Sequence, residues 1–343
     1  MALPARPRAK QVFLLLSAYE QKYWLHSLIG HLADELDRAN LDVVLKVPDR
    51  DYDSRTLVRH MRGLLQRRED FVGGFLMVTE VDRVRRELAD FCPSVRVPVV
   101  FLDVEPFARE AEYPPGTGFV GYRAGDIGAV AGDWLAGWFR RAGTREPVVQ
   151  VLASREHADR QRRFAEVLRE ALPGARVAID DTCAFDRVRA MDAIHDLLHD
   201  RPPGHAARPD ALFCTNDEMA LGAADALRGN GAAIPILGVD GLADVLTALD
   251  RGDSPLRATV VQDTRALAAN ATDLLHRMHT EDPSPRLCFL EPRIHTGRGP
   301  AVRHAPGAID MSVHNELHTT APSTTLGSAH NVWITNQAPG ELS

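Results

Sequence analysis

Four cysteines are scattered through 343 residues, Cys92, Cys183, Cys214 and Cys288, and no two form a CxxC pair. That spacing offers neither a zinc site nor a redox couple. Cys214, inside an apolar run, reads as a small buried hydrophobe. Lysine is scarcer still: Lys10, Lys22 and Lys46 are the only three, so almost all of the 40 basic residues are arginine, a usage bias rather than an arginine-rich binding surface. Positive charge is also in deficit. With 47 acidic residues the net charge is -7, the wrong sign for a face that holds phosphates, and a nucleic-acid partner is not expected. Long hydrophobic runs are missing: the apolar stretch Val12–Leu16 is too short for a signal-peptide core or a membrane span. As written, the chain is expected to be cytoplasmic and without membrane insertion; a true start lying upstream would make it extracytoplasmic. There is no P-loop, no G-x-S-x-G elbow and no histidine pair at metal-ligand spacing on a helix face. Catalytic residues, cofactor and metal are accordingly all expected to be none.

Hydrophobic residues make up 45% of the chain and charged residues 25%, a globular composition. The length suits two lobes better than one core. Short apolar runs alternate with stretches of helical period. Val12–Leu16 reads as a buried parallel strand, and Trp24–Arg38 as a helix with Leu25, Leu28, Ile29, Leu32 and Leu36 on one face. Strands follow at Val43–Val47, Gly74–Val78 and Val97–Leu102, with helices at Ser54–Arg67 and Arg83–Phe91. The Pro- and Gly-rich stretch Glu105–Gly118 breaks the rhythm and reads as a crossover to a second run of units, which ends with a strand at Leu287–Leu290. Repeated β–α units predict the α/β class, with doubly wound parallel sheets in two lobes. Residues 303–343, rich in Ser, Thr, Pro, Ala and His and without amphipathic period, are expected to be a disordered tail.

Three motifs imitate chemistry. Gly116-Thr-Gly-Phe-Val-Gly121 matches G-x-G-x-x-G but follows Pro114-Pro115 rather than a strand, and reads as a Gly-rich connection between lobes. Asp49, Asp51 and Asp53 imitate a calcium loop but lack its Gly and Glu, having Ser54 and His60 at those places. The sequon Asn270-Ala-Thr272 lies inside a predicted helix.

Two runs carry a functional reading. Ala211-Leu-Phe-Cys-Thr-Asn-Asp-Glu-Met-Ala-Leu-Gly222 is a strand whose polar end opens a helix, and Ile234-Pro-Ile-Leu-Gly-Val-Asp-Gly241 is a strand ending in Asp-Gly. In open α/β sheets ligands bind beyond the carboxyl ends of strands. Asn216 and Asp240 stand at such ends. An amide both donates and accepts and a carboxylate accepts twice, a pair suited to vicinal hydroxyls. In these runs the chain closely resembles the type I periplasmic binding protein superfamily, in its ribose-binding-protein-like branch, over roughly Gln11 to Gly297. The resemblance implies two similar lobes joined by three hinge crossovers: an N-terminal lobe of 10–121 plus 263–290 and a C-terminal lobe of 122–262 plus 291–299. LacI-type repressors share that fold behind a helix-turn-helix. Only about ten residues precede the first strand here, so direct repression is not expected.

Carried over position by position, the resemblance implies ligand contacts from Gln21, with ring stacking by Tyr23 and Trp24, and from Thr79 and Asp103 in the first lobe. In the second it implies Arg160, Phe185, Asn216, Asp240 and Gln262. Alternatives remain for each: Tyr23 and Trp24 as caps on the core, Asn216 and Asp240 as helix N-caps, Arg160 as a solvated surface residue beside Arg162 and Arg163. The chain departs from the branch where an Arg usually follows the fourth-strand Asp and here stands Val104, and where Gln21 and Thr79 replace Asn. These departures imply a modified pentose, an amino sugar or a cyclitol rather than plain ribose. The expected function is binding of a small sugar-like ligand with hinge closure, read by an ABC permease or a sensor kinase. The alternative is an enzyme that has taken over the cleft to act on a sugar or cyclitol derivative, with Asp103 and Asp240 as an acid–base pair.

Overall fold

The structure is a computed structural model that describes residues 10–18, 22–78, 81–103, 105–199, 208–280, 285–297 and 332–334. The first part of the chain runs β1 (Lys10–Leu16), α1 (Lys22–Arg38), β2 (Leu41–Lys46), α2 (Ser54–Gln66), β3 (Phe71–Met77), α3 (Val81–Val95), β4 (Val99–Asp103) and β5 (Thr117–Tyr122). A second part follows: α4 (Ala124–Ala142), β6 (Val148–Leu152), α5 (Ala158–Ala171), β7 (Arg176–Asp180), α6 (Arg187–His199), β8 (Ala211–Cys214), α7 (Asp217–Gly229), β9 (Ile236–Asp240), α8 (Ala243–Arg251) and β10 (Leu256–Val261). The chain then adds α9 (Thr264–His279), β11 (Leu287–Leu290), β12 (Arg293–Thr296) and β13 (Val332–Ile334).

Two sheets result. The first has the order β11-β5-β4-β3-β1-β2-β13 and is parallel throughout; the second has the order β12-β10-β9-β8-β6-β7, with only β12 antiparallel. Helices cover both faces of each, which is why the strands read as unbroken apolar runs. Alternation along β1 shows the division. Phe13 and Leu15 pack with Leu57, Met61 and Leu64 of α2 and Leu88 and Phe91 of α3. Val12, Leu14 and Leu16 face the other way, toward Trp24, Leu25 and Leu28 of α1 and Leu267, Leu274 and Leu275 of α9. The second sheet repeats the plan: Phe213 packs with Phe164 and Leu168 of α5, while Leu212 and Cys214 turn toward α7.

The chain passes between the sheets three times before β13: from β5 to α4, from β10 to α9, and from β11 to β12. Side chains tie these crossovers together. The Tyr122 hydroxyl accepts from Asp263 N at 2.8 Å, joining the first crossing to the second. Arg123 stacks on Phe289, its guanidinium carbon 3.6 Å from the ring centroid, joining the first to the third.

Several expectations need correction. Gly116–Gly121 is not an interlobe connection: residues 117–122 form β5, buried between β4 and β11. Its glycines reflect crowding, since a Cβ on Gly118 would lie 2.9 Å from both Arg286 O and a Leu274 methyl. The first crossover therefore comes after Tyr122, not within Glu105–Gly118. The fold does not close at Leu287–Leu290, because β12 pairs antiparallel with β10. Within the 303–343 stretch expected to be disordered, residues 332–334 pair in parallel with β2; the rest lies outside the described residues.

Candidate functional site

The carboxyl ends of β4 and β5 in the first sheet meet those of β6, β8, β9 and β10 in the second, and polar residues gather where they meet. Arg160, in the first turn of α5, is the centre. Its side chain is buried, not solvated. It is seated by a close crossing of α4 and α5 at Gly128, where a Cβ would lie 2.1 Å from Arg160 O. One Nη donates to the Thr215 carbonyl and the other to Gln262 Oε1 at 3.2 Å. The Gln262 side chain also hydrogen-bonds Asp103, and its backbone carbonyl accepts from the Trp24 indole N–H at 3.2 Å. A hinge residue, a first-lobe carboxylate and a second-lobe guanidinium thus form one network.

Asp103 and Asp240 end β4 and β9, both nearly fully buried and both with positive φ, 65° and 122°. Ala184 and Phe185, in the loop before α6, also have positive φ, 49° and 58°. Non-glycine residues in this region carry strain that surrounding structure must hold in place, and such strain concentrates at functional sites. Burial pushes the Asp103 carboxyl up to about 6, against the opposing pull of Arg160 and Gln262. Burial, reinforced by the neighbouring Asp217 carboxylate, pushes Asp240 well above the usual carboxylate range, and Arg160 opposes it. His157 is held down to about 3 by burial and by Arg160, so it is a neutral imidazole.

Asn216 serves as the N-cap of α7: its Oδ1 accepts from Met219 N at 2.9 Å, and its Nδ2 donates to Phe185 O at 3.4 Å. The Phe185 ring is buried edge-on to His157, 5.3 Å between centroids. Trp24 is buried among core residues, its only ring N–H spent on Gln262. Tyr23 is 64% exposed and stands apart from this network, beside a recess of about 430 Å³ bounded also by Phe185, Arg187 and Glu218. Gln21 and Thr79 lie outside the described residues, as does Val104.

Sequence reasoning missed Asp217. Its carboxylate, fully buried, accepts from Gly241 N and Leu242 N, both at 2.8 Å, and from the Thr259 hydroxyl at 2.9 Å. It clamps the turn after β9 that presents Asp240, and its own N–H reaches Asp240 Oδ2 at 3.4 Å. The available signal was an acid directly after Asn216 at a strand end. Tyr122, the hinge tie, carried no sequence signal.

A cleft of about 740 Å³ opens from this network, floored by Asp103, Tyr122, His157 and Arg160 and walled by Glu105 and Phe107. Buried polar atoms without a partner among the described residues include Glu156 Oε2 and Arg160 Nε, whose residues line the cleft, and Ser154 Oγ, Gln161 Oε1, Thr215 Oγ1 and Asp240 Oδ1. Each such atom is costly in a protein interior. Among the described residues no group of three or more His, Cys, Asp or Glu could hold a metal ion, and no helix is long and apolar enough to cross a membrane.

The family described as "Periplasmic binding protein domain" matches residues 35–281. The ribose import binding protein RbsB of Bacillus subtilis is 36% identical over 107 residues, 29% of this chain and 32% of that protein, so the chain spans about a third of that relative's length. A periplasmic solute-binding protein of an ABC transporter from Actinobacillus succinogenes 130z, solved with D-allose, superposes with a TM-score of 0.72 at 16% identity, covering 84% of this chain and 97% of that one. An ABC transporter solute-binding protein from Bacillus halodurans C-125, solved with myo-inositol, gives 0.70 at 18% identity, covering 85% and 96%.

Proposed function

Starting from the premise that this chain belongs to the periplasmic binding protein family, we propose that it binds a small sugar or polyol between its lobes, closes on it by hinge motion, and releases it unchanged. The observation that carries this reading is the set of unpartnered buried polar atoms at the strand ends, above all Asp240 Oδ1, Arg160 Nε and Thr215 Oγ1. A polyhydroxylated ring offers a donor and an acceptor at each hydroxyl, which is what a mixed set of carboxylate, guanidinium, hydroxyl and amide atoms requires. The relatives solved with D-allose and myo-inositol support the same ligand chemistry.

Asp103, Arg160, Asn216, Asp240 and Gln262 are the proposed ligand contacts, with Phe185 as the apolar wall; Tyr23 borders the neighbouring recess instead. Arg160, the buried cation, orients the ligand's acceptor oxygens; Asp103 and Asp240 accept hydrogen bonds from its hydroxyls from opposite lobes. Closure is favoured because only the closed form lets both lobes engage one ligand. The lobes pivot about the three crossovers tied by Tyr122 and Arg123. The closed form is then read by a partner, an ABC permease outside the cytoplasm or a sensor protein within it.

The test is a thermal-shift screen of the purified chain against D-ribose, D-allose, myo-inositol and related pentoses, hexoses and cyclitols. A ligand at 100 times its Kd adds about 2.7 kcal/mol to stability. One or more compounds should raise the melting temperature, be recovered intact after prolonged incubation, and lose their effect in Asp240→Ala. Consumption of the bound compound would replace the binding reading with an enzymatic one.

A further inference from the structure

We propose that the open edge of the second lobe docks a second copy of this chain, the two β7 strands pairing antiparallel about a twofold axis through Ala178. This is independent of what the cleft binds.

The edge strands β11 and β12 are joined directly by the third crossover. Of the edges opposite them, β2 in the first sheet is covered by β13, while β7 in the second pairs only with β6. Arg176 N donates to Pro147 O at 2.8 Å, and Asp180 O accepts from Ala153 N at 2.7 Å. Residues 176, 178 and 180 therefore turn their backbone groups toward β6, and by alternation Val177 and Ile179 turn theirs outward. Exposed edges are usually blunted by a proline, a lysine or a bulge. β7 has none of these: its register against β6 runs unbroken from Arg176 to Asp180. Ile179 on this edge is 46% exposed, one of four large hydrophobic side chains so exposed among the described residues.

The strand Arg-Val-Ala-Ile-Asp is complementary to itself. Turned about Ala178, Arg176 of each copy stands opposite Asp180 of the other, and Val177 opposite Ile179. The outward-facing Val177 and Ile179 then form the hydrogen-bonded pairs. The two Arg–Asp pairs and the Ala178 pair fall at the non-hydrogen-bonded positions, where side chains come closest. Within one chain these charges are unspent: neither Arg176 nor Asp180 has an ion pair among the described residues, and Asp180 Oδ1 accepts only from the Thr182 N–H and hydroxyl, at 2.9 and 2.6 Å. A slip of one residue would oppose backbone groups already used by β6, and a slip of two would lose both charge pairs. Antiparallel pairing points the carboxyl ends of the two second sheets in opposite directions, so the two clefts face opposite ways. The edge is short, which places the contact at the small, weak end of specific interfaces.

The experiment is sedimentation velocity of the full chain over about 1–300 μM, where a weak contact of this kind should carry it from monomer to dimer. Arg176→Asp and Asp180→Arg, which set like charges opposite one another, should each raise the dissociation constant about tenfold or more. An equimolar mixture of the two variants should dimerise again, because each meets its complement in the other; that recovery also shows both to be folded. Ala178→Cys should form an intermolecular disulfide on oxidation, since the axis brings the two Cα atoms to about 4.5 Å. Ile179→Cys should not, nor should the unsubstituted chain, whose own cysteines are buried or half-buried. A monomer at every concentration, a dimer indifferent to both charge variants, a mixture that stays monomeric, or cross-linking through Ile179→Cys as readily as through Ala178→Cys overturns the proposal.

Discussion

Asp103 is costly to the fold that holds it. Burial pushes its carboxyl up to about 6 in the folded protein, above the ordinary aspartate value of 3.8. A group whose pKa rises on folding favours the folded state fully only below its unfolded pKa, and that contribution is lost as the pH climbs through the folded value. Above pH 6 the folded protein therefore bears the expense of a buried charge. Asp103→Asn should stabilise the ligand-free protein by as much as about 3 kcal/mol at pH 8 and by almost nothing at pH 4. Urea titrations at the two pH values measure this directly, and a destabilised variant at pH 8 would refute it. The same substitution should weaken ligand binding, the usual exchange of stability against function at a strained site. At this scale the sequence was informative where a polar residue ends an apolar run, as at Asp103, Asn216 and Asp240. It was silent on Asp217, whose partners Gly241, Leu242 and Thr259 lie 24 to 42 residues downstream, and on Tyr122, whose bond to Asp263 spans 141 positions. Such roles exist only once the chain has folded.

Between elements, the contact that matters most is the crossing of α4 and α5. Gly128 has no room for a side chain, because its Cβ would meet the carbonyl oxygen of Arg160. Gly128→Ala should push α5 outward, lower stability by about 1–3 kcal/mol and weaken ligand binding, although residue 128 touches no ligand. Gly63→Ala in α2 is the control: nothing lies within 4 Å of the added methyl there, and helix propensity should make it neutral or stabilising by up to about 1 kcal/mol. If both variants bind alike, Arg160 is not positioned by this crossing. The N-cap of α7 gives a second check. Asn216→Ala should cost about 1 kcal/mol through the lost cap, with Asn216→Asp restoring most of it, read as denaturant midpoints. Amphipathic helices such as α1 were legible because their apolar stripe is regular: the helix read at Trp24–Arg38 is Lys22–Arg38. Strand β5 was not, because three glycines in Gly116–Gly121 look like a loop until Leu274 and Arg286 are seen crowding against Gly118 and Asp103 against Gly121. β12 was too short and too polar to announce itself.

For the whole molecule, two doubly wound sheets were legible from the alternation of apolar runs and helical stripes, since both faces of each sheet had to be covered. The crossover read at Glu105–Gly118 was misplaced, because apolar runs and glycines alone do not show that β5 belongs to the first sheet; the lobe boundary after residue 121 came from the family resemblance instead. Closure is measurable at this scale: small-angle scattering should give a smaller radius of gyration with ligand than without, and identical curves would exclude hinge motion. The threefold passage of the chain between the sheets has a consequence for its synthesis. The first lobe begins the chain, yet α9, which packs on α1, β4 and β5 and buries Leu267, Ala271, Leu274 and Leu275, follows the whole run from β6 to β10. At ordinary elongation rates the ribosome needs about 10–30 s to travel from the end of β5 to the end of α9. Throughout that interval α1 alone covers one face of the first sheet, while the second lobe lacks only β12. The half of the molecule that leaves the tunnel first is thus the last to be finished, and its uncovered leucines and Trp24 are where a nascent-chain chaperone would take hold.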